Sequence, residues 1–407
     1  MNTLWAIGIR NVSRNRRRTR LTIGGIAFAV WLIGVSASLQ DGTYALQRQT
    51  ATDLLTGHVQ ISHPEWPGRS AVELVIPDVA VMLNQLSSED GVERAFPRIH
   101  SFGLAASGER SVAAQVIGMD FAKEQGATTI LHRLADGVIP STENDALVGE
   151  ALARSLDVRV DDDIDVLATD PGGGMAAMSL RVSGVLRTGV PDLDRLLLLV
   201  PYVAMSDALA MPDQAHLIVI RGERREAAQA LATRVEGHLP KNPLVRPWQE
   251  VMPEIEEAIE LDRLGGYPFY GVILFLVTFS VANTFVMVVF ERVREFGMLR
   301  SLGMQPLRII GLLQIESFVL WCGGVALGLV LLLLTVSLLA TVGVSLGDQL
   351  EATLSQMYMP DHLYADFSLR AFLTAPLVLL LNTQLAALLP ALRIRHIQPA
   401  HTLRMGA

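Results

Sequence analysis

Few side chains in this sequence are spaced for bond-making chemistry. "GVSLG" (343–347) matches the Gly-x-Ser-x-Gly pattern that raises a nucleophilic serine on a strand-to-helix turn. Here it closes a long apolar run, with no strand before it and no helix directly after, so nothing would hold the elbow. His58 and His63 stand five apart in a predicted strand and turn, a setting for surface or capping roles rather than for a metal site. "PGGGM" (171–175) lacks the third glycine of a dinucleotide fingerprint and opens no helix. The only lysines, Lys123 and Lys241, follow Ala122 and Pro240 rather than glycine, so a phosphate-cradling loop cannot be built. The single cysteine, Cys322, lies in an apolar run and excludes a disulfide or a Cys-rich metal site within the chain. Neither a catalytic residue, nor a metal, nor a cofactor held by this chain is expected.

The polar residues that remain of interest sit in unusual company. Glu316 is the one charge within residues 309–347, and "NTQ" (382–384) interrupts another apolar run. Such groups need a partner when the surroundings are hydrocarbon. For Glu316 the expected place is the inner interface, facing water or arginine. For Asn382–Gln384 it is hydrogen bonding between helices, and Gly324 with Gly328 offers a small-xxx-small face for close packing.

The elements that carry these residues follow from hydropathy. The 407 residues are 50% hydrophobic and 18% charged, below the usual quarter for soluble domains. Four stretches reach the roughly 20 apolar residues of a membrane helix: Leu21–Leu39, Pro268–Phe290, a run within Ile309–Gly347, and Ala371–Leu392. Residues 1–20 carry six arginines and no acid, 291–308 four arginines and two glutamates, and 391–407 three arginines and no acid. Residues 41–265 instead carry 19 basic and 34 acidic residues, and 348–368 four acids and no base. The basic segments therefore belong in the cytoplasm and the acidic ones outside, with both termini inside. The acidic balance, net −8 overall, argues against nucleic acid as a partner. A secretory signal is the competing reading of the N-terminus. Against it, Leu4, Trp5, Gly8, Ile9 and Val12 share one helical face, as in an amphipathic helix on the inner leaflet.

Between the first and second spans, residues 41–265 alternate short strand patterns with helical ones, an α/β pattern. Strands are expected at 57–62, 110–119, 163–169, 178–188, 195–202 and 216–222, and helices at 78–88, 144–156, 225–239 and 248–264. "DPGGGM" (170–175) reads as a tight turn or hairpin tip. The fold class is thus a membrane protein with four transmembrane α-helices in a one-plus-three layout and a large α/β periplasmic domain between helices 1 and 2. The first span is expected to continue outward as a stalk, and the last external helix to run almost straight into the second.

"ERVREFGMLRSLG" (291–303), "RNVSRNRRRTRLTIGGIAFAV" (10–30) and "LLPALRIRHIQPAHTLR" (388–404) resemble the cytoplasmic segments of FtsX/MacB-type ABC permeases, the type VII group. "TGHVQISHPEWPG" (56–68), "FPRIHSFGLAASG" (96–108), "ALVGEALARSLDVRVDDDIDVLATDPGGG" (146–174) and "VSGVLRTGVPDLDR" (182–195) are similar to the periplasmic domain of the LolC/LolE lipoprotein-releasing permeases. The resemblance spans nearly the whole chain. It implies a split β-α-β part (about 41–120 and 200–265) with a subdomain inserted at about 121–200.

It also implies a non-catalytic permease subunit of the bacterial inner membrane. ATP and Mg would be bound by separate ABC ATPase subunits, and a second permease chain, identical or not, would complete the pair. The work would be mechanotransmission: extraction or export of a lipoprotein, lipid or amphipathic substrate from the outer leaflet. A MacB-like drug, peptide or siderophore exporter and an FtsX-like signal transmitter are the alternatives. Carried over by position, the ATPase-contacting helix falls on about Phe296–Ile309. Glu291, Arg292, Arg294 and Glu295 stand at its start, with Gly297, Leu299, Arg300 and Gly303 along it. A lateral opening between the first two spans would bring Leu32, Val35, Leu39, Phe269, Ile273 and Val277 to acyl chains. A periplasmic carrier or adaptor would meet the hairpin at Pro171, Gly172, Gly173 and Gly174. The ending "HTLR" (401–404) departs from the Glu-Ala-Leu-Arg-like close of the family.

Overall fold

The computed structural model describes residues 5, 8, 10–12, 14–239, 243–345 and 362–393. They divide into a membrane unit (through Tyr44, Glu260–Ser345 and from His362) and an α/β unit (Ala45–Ile259). The tail from 394 and most of the 348–368 loop lie outside the described residues.

Along the chain, α1 (Arg16–Ala51) ends in a π-helical turn, Thr52–Thr56. There follow β1 (Val59–Ser62), α2 (Val79–Ser87), β2 (Val92–Ser107), β3 (Arg110–Met119), β4 (Leu134–Gly137), β5 (Asp145–Gly149) and α3 (Glu150–Leu156). Next come β6 (Asp163–Thr169), β7 (Met175–Leu186), β8 (Leu197–Pro201), β9 (Leu217–Gly222), α4 (Ala228–His238) and β10 (Leu244–Pro247). The chain closes with α5 (Pro253–Glu291), α6 (Val293–Ser301), α7 (Pro306–Val342) and α8 (Leu369–Leu392). The helices α1, α5, α7 and α8 are each long and apolar enough to cross a membrane.

In the membrane unit these helices share one apolar core, with Ile26, Val30, Val281, Phe285, Leu313 and Leu379 at its centre. A Cβ on Gly324 would come within 2.6 Å of the Ile26 side chain, and one on Gly328 within 2.8 Å of the Ala27 carbonyl. Glycine at these two positions is what lets α7 lie against α1. Ser317 donates to the Thr383 carbonyl at 3.2 Å, and Trp321 Nε1 to that of Pro376 at 3.0 Å, so α7 and α8 are tied by hydrogen bonds as well. Trp5 meets Phe318 edge-on at 6.0 Å between centroids, and a Cβ on Gly8 would touch Ile315. Trp5 and Gly8, two residues of the apolar face read from the sequence, thus lie against α7; Leu4 and Ile9 of that face lie outside the described residues.

The α/β unit is one ten-stranded sheet. Antiparallel β10, β1, β9 and the first half of β2 form one wing. From there pairing runs β2–β3–β8–β5–β7–β6 and returns to β2, where Leu104 faces Leu167. These six strands close into a ring. Closure leaves none of the six with two free edges and hides an alternating inner face: Val116, Val148, Ile164, Val166, Leu180 and Leu198 are all buried inside.

Two expectations need correction. Residues 144–156 are not one helix: Asp145–Gly149 is a buried strand and only Glu150–Leu156 coils, because "ALV" is apolar on both faces where a surface helix would need one polar face. The helix expected at 248–264 breaks at Met252 (φ −128°), where Pro253 offers no amide hydrogen and restarts the helix as an N-terminal residue. Hydrogen bonding runs unbroken through β3–β8, so the strands on either side of residues 120 and 200 share one sheet.

Candidate docking helix and external hairpin

The short helix α6 is positioned from beneath. Arg292 occupies the joint between α5 and α6, with φ −107° and ψ 13°. Its guanidinium donates to Glu295 Oε2 at 2.7 Å and to Glu316 Oε1 at 2.9 Å, and lies 5.3 Å over the Phe296 ring. Phe296 is fully buried, Gly297 is buried beside it, and Leu299 packs against the membrane core. Glu316 also accepts from Asn11 Nδ2 at 2.6 Å. Two further pairs run to the N-terminal segment: Arg18 to Glu291 at 3.0 Å and Arg14 to Glu295 at 3.4 Å. The Arg292 guanidinium holds the Glu295 carboxyl below its ordinary range against the opposing pull of burial.

The charges at the start of α6 are therefore turned to partners within the chain. Glu291, Arg292 and Glu295 fix α6 to its own protein, and Arg294 is exposed. Apolar groups face outward: Met298 is 52% exposed, Leu302 84% and Leu307 63%. The helix stops at Ser301, short of the expected Ile309, because Gly303 turns left-handed (φ +88°) and Pro306 opens α7. Arg300, partly exposed, lies in its last turn. Leu302 was missed as a candidate; its signal was an apolar residue beside a glycine turn in a basic segment.

The six residues expected at an acyl-chain opening do not form one face. Ile273 and Val277 are buried in the membrane core, with Leu32 packed against it. Val35 and Leu39 pack instead with Leu332, Val336 and Ala365. Phe269 alone among them is well exposed, at 51%.

In the α/β unit, Pro171–Gly174 form the tip of the β6–β7 hairpin, and Thr169 pairs with Met175 across its base. Gly173 is left-handed (φ +84°), and Asp170 accepts from the Gly174 amide at 2.9 Å, which fixes the turn. Gly172, Gly173 and Gly174 are exposed. Beside the tip, on the outer face of the ring, Phe102, Leu104, Leu167 and Met175 stay exposed. Only the glycine-rich tip was singled out from sequence; the apolar residues become neighbours through the β2–β6 register.

No group of three or more metal-binding side chains occurs among the described residues.

Comparison with known proteins places both regions. Residues 268–399 match the FtsX-like permease C-terminal model, and residues 19–237 the MacB-like periplasmic core domain model. The chain is 24% identical over 430 residues to the lipoprotein-releasing system transmembrane protein LolC of Xylella fastidiosa, covering 98% of each. It is 23% identical to LolC of Neisseria meningitidis over 98% of each chain, and 21% identical to LolE of Haemophilus influenzae over 93% of this chain and 92% of that one. Among solved structures, the periplasmic region of MacB from Actinobacillus actinomycetemcomitans aligns with 50% of this chain and 94% of its own, at 14% identity and a TM-score of 0.35. With its MacB-like core matched over more than half its length and its last three spans matched as an FtsX-like permease, the chain belongs to the family of FtsX-like permeases that carry a MacB-like periplasmic core domain.

Proposed function

We propose that this chain is the permease subunit of an inner-membrane ABC transporter that releases lipoproteins from the outer leaflet. The carrying observation is α6 and the turn after it: the helix is clamped from within by Arg292 and Phe296, and Met298 on it, Leu302 in the turn and Leu307 at the start of α7 face outward. An apolar, rigidly held surface of this kind suits a partner groove. The ATPase, with its ATP and Mg, is a separate chain, in keeping with the absence of a Gly-Lys loop in the sequence. A second permease chain, of the same or a related kind, completes the membrane part. The hairpin tip Pro171–Gly174, with the apolar patch of Phe102, Leu104, Leu167 and Met175, receives a periplasmic carrier. Near full-length similarity to LolC relatives supports lipoprotein as the substrate class. Both termini are cytoplasmic on this reading, as the distribution of arginine requires.

The test is copurification in mild detergent. Met298→Glu with Leu302→Glu should lower ATPase recovery at least tenfold while the permease stays in the membrane, and the chain alone should hydrolyse no ATP. Full ATPase recovery with the double variant, or turnover by the chain alone, refutes the reading.

A further inference from the structure

Glu316 has an assignment that docking alone does not require. It lies about 15 Å along α7 from Pro306, at 1.5 Å per residue, and only 6% of its surface is exposed. A buried acid is costly, and a well-packed apolar replacement for a buried ion pair is often no less stable. What the acid supplies is direction. Its Oε1 accepts from Arg292, which occupies the joint between α5 and α6, and from Asn11 of the N-terminal segment. The guanidinium is a planar fork, so its second arm, from Nε to Glu295, is oriented by the first. One carboxylate on α7 therefore reaches the exit of α5, the first turn of α6 and the N-terminal segment. The Arg292–Glu295 bond is local, but Arg292 and Glu316 are 24 residues apart and Asn11 and Glu316 305, so the carboxylate joins elements that the chain alone does not bring together.

We infer that Glu316 is a positioning residue for energy coupling: through Arg292 it sets the angle at which α6 leaves α5, and through Asn11 it ties the N-terminal segment to the same joint. A push on α6 is then delivered to α7 as well as to α5. The inference rests on the reading of α6 as the ATPase-docking helix.

The experiment uses the full-length chain with its copurified ATPase in lipid nanodiscs. Glu316→Gln, Arg292→Gln and the double variant are compared for stimulation of ATP hydrolysis by a synthetic triacylated lipopeptide. In parallel a nitroxide at Ser301→Cys, in a Cys322→Ser background, reports the mobility of α6. Each single variant should lose about tenfold in stimulation, the double no more than either single, and the nitroxide should gain mobility while the ATPase still copurifies. The inference is overturned by wild-type stimulation in Glu316→Gln, by a double-variant loss equal to the product of the singles, or by an unaltered nitroxide. It is also overturned if Glu316→Gln fails to accumulate in the membrane, since the residue would then serve folding. Failure of the docking reading looks different: the nitroxide is freed by Glu316→Gln, yet Met298→Glu with Leu302→Glu leaves ATPase recovery intact.

Discussion

Two arginines each hold the exit of a long helix, and they do so differently. Arg98 in the α/β unit donates to the Leu55 carbonyl in the π-helical turn that ends α1. Its fork is completed by Glu124, with Nε to Oε1 at 3.0 Å, and both residues are essentially without exposed surface. Arg292 in the membrane unit stands where α5 ends, keeps 18% of its side chain exposed and divides its donors between two acids on different helices. Arg98 is enclosed by strands whose backbone is already fixed, so it has one arrangement. Arg292 sits between two consecutive helices and reaches a third through its side chain alone, with solvent on one side. The first fixes one turn with a single enclosed pair; the second ties several elements at one partly solvated joint.

Breaking the enclosed arginine should have the largest effect. Arg98→Met leaves Glu124 buried and unpaired and should cost about 3–5 kcal/mol, read from chemical denaturation of the solubilised chain. Adding Glu124→Leu should recover most of that loss, less the bond to Leu55. If the double variant is no more stable than the single, the pair is not the unit described.

Acid should sharpen the contrast next. His100 is held down to about 3 by burial, then by Arg98 and His216, and burial lowers His216 as well. The unfolded imidazoles take up protons near pH 6.5, and the folded ones do so only at lower pH. Stability is therefore full above about pH 6.5 and falls as pH drops below it, by about 2 kcal/mol at pH 5 from His100 alone. The loss should appear in the α/β unit, with His100→Gln flattening the slope; an unchanged slope removes His100 from the account.

Arg292→Met should cost less, about 1–2 kcal/mol, because the guanidinium is partly solvated, Glu295 can turn to water and Glu316 keeps its bond from Asn11. Protease sensitivity should rise at residues 291–303 and remain unchanged in the α/β unit. The smallest effect belongs to Arg48, bonded to Glu256 at 2.8 Å and 3.0 Å but about one-third exposed on either side. Arg48→Ala should cost below about 1 kcal/mol.

Much of this was legible from sequence. Four apolar runs and the arginine bias yield the spans, because lipid demands length and charge asymmetry that no packing detail can disguise. Asp163–Thr169, which alternates cleanly between exposed and buried positions, was visible because one face is wet. The strand Asp145–Gly149 was read as helix because it is buried on both faces and has no period to show. Strand β2 is absent from the sequence expectations: Pro97, Arg98 and His100 break its apolar pattern, and the groups that meet this stretch, Glu124 at the Arg98 side chain and His216 at the His100 amide, lie in other elements. At α6, the acidic and basic residues were recognised but not their direction. That Arg292 turns inward depends on Glu316, and no local pattern around residue 292 reveals a partner on the next helix.

Strand β2 also imposes an order on biogenesis. It is made early, yet its partners include β6 at Asp165–Ala168 and β9 at Leu217–Gly222. One edge pairs with β3 directly after it, but the other is satisfied only after another hundred or so residues have been made, and contacts of such separation form slowly. During that interval a long strand waits with hydrogen-bonding groups bare. Glu93, Arg94 and Arg98 lie along its waiting edge beside Pro97, and charge and proline are what discourage an unpaired strand from joining a neighbouring copy. The same arginine that later locks the folded turn thus begins as protection for the nascent chain.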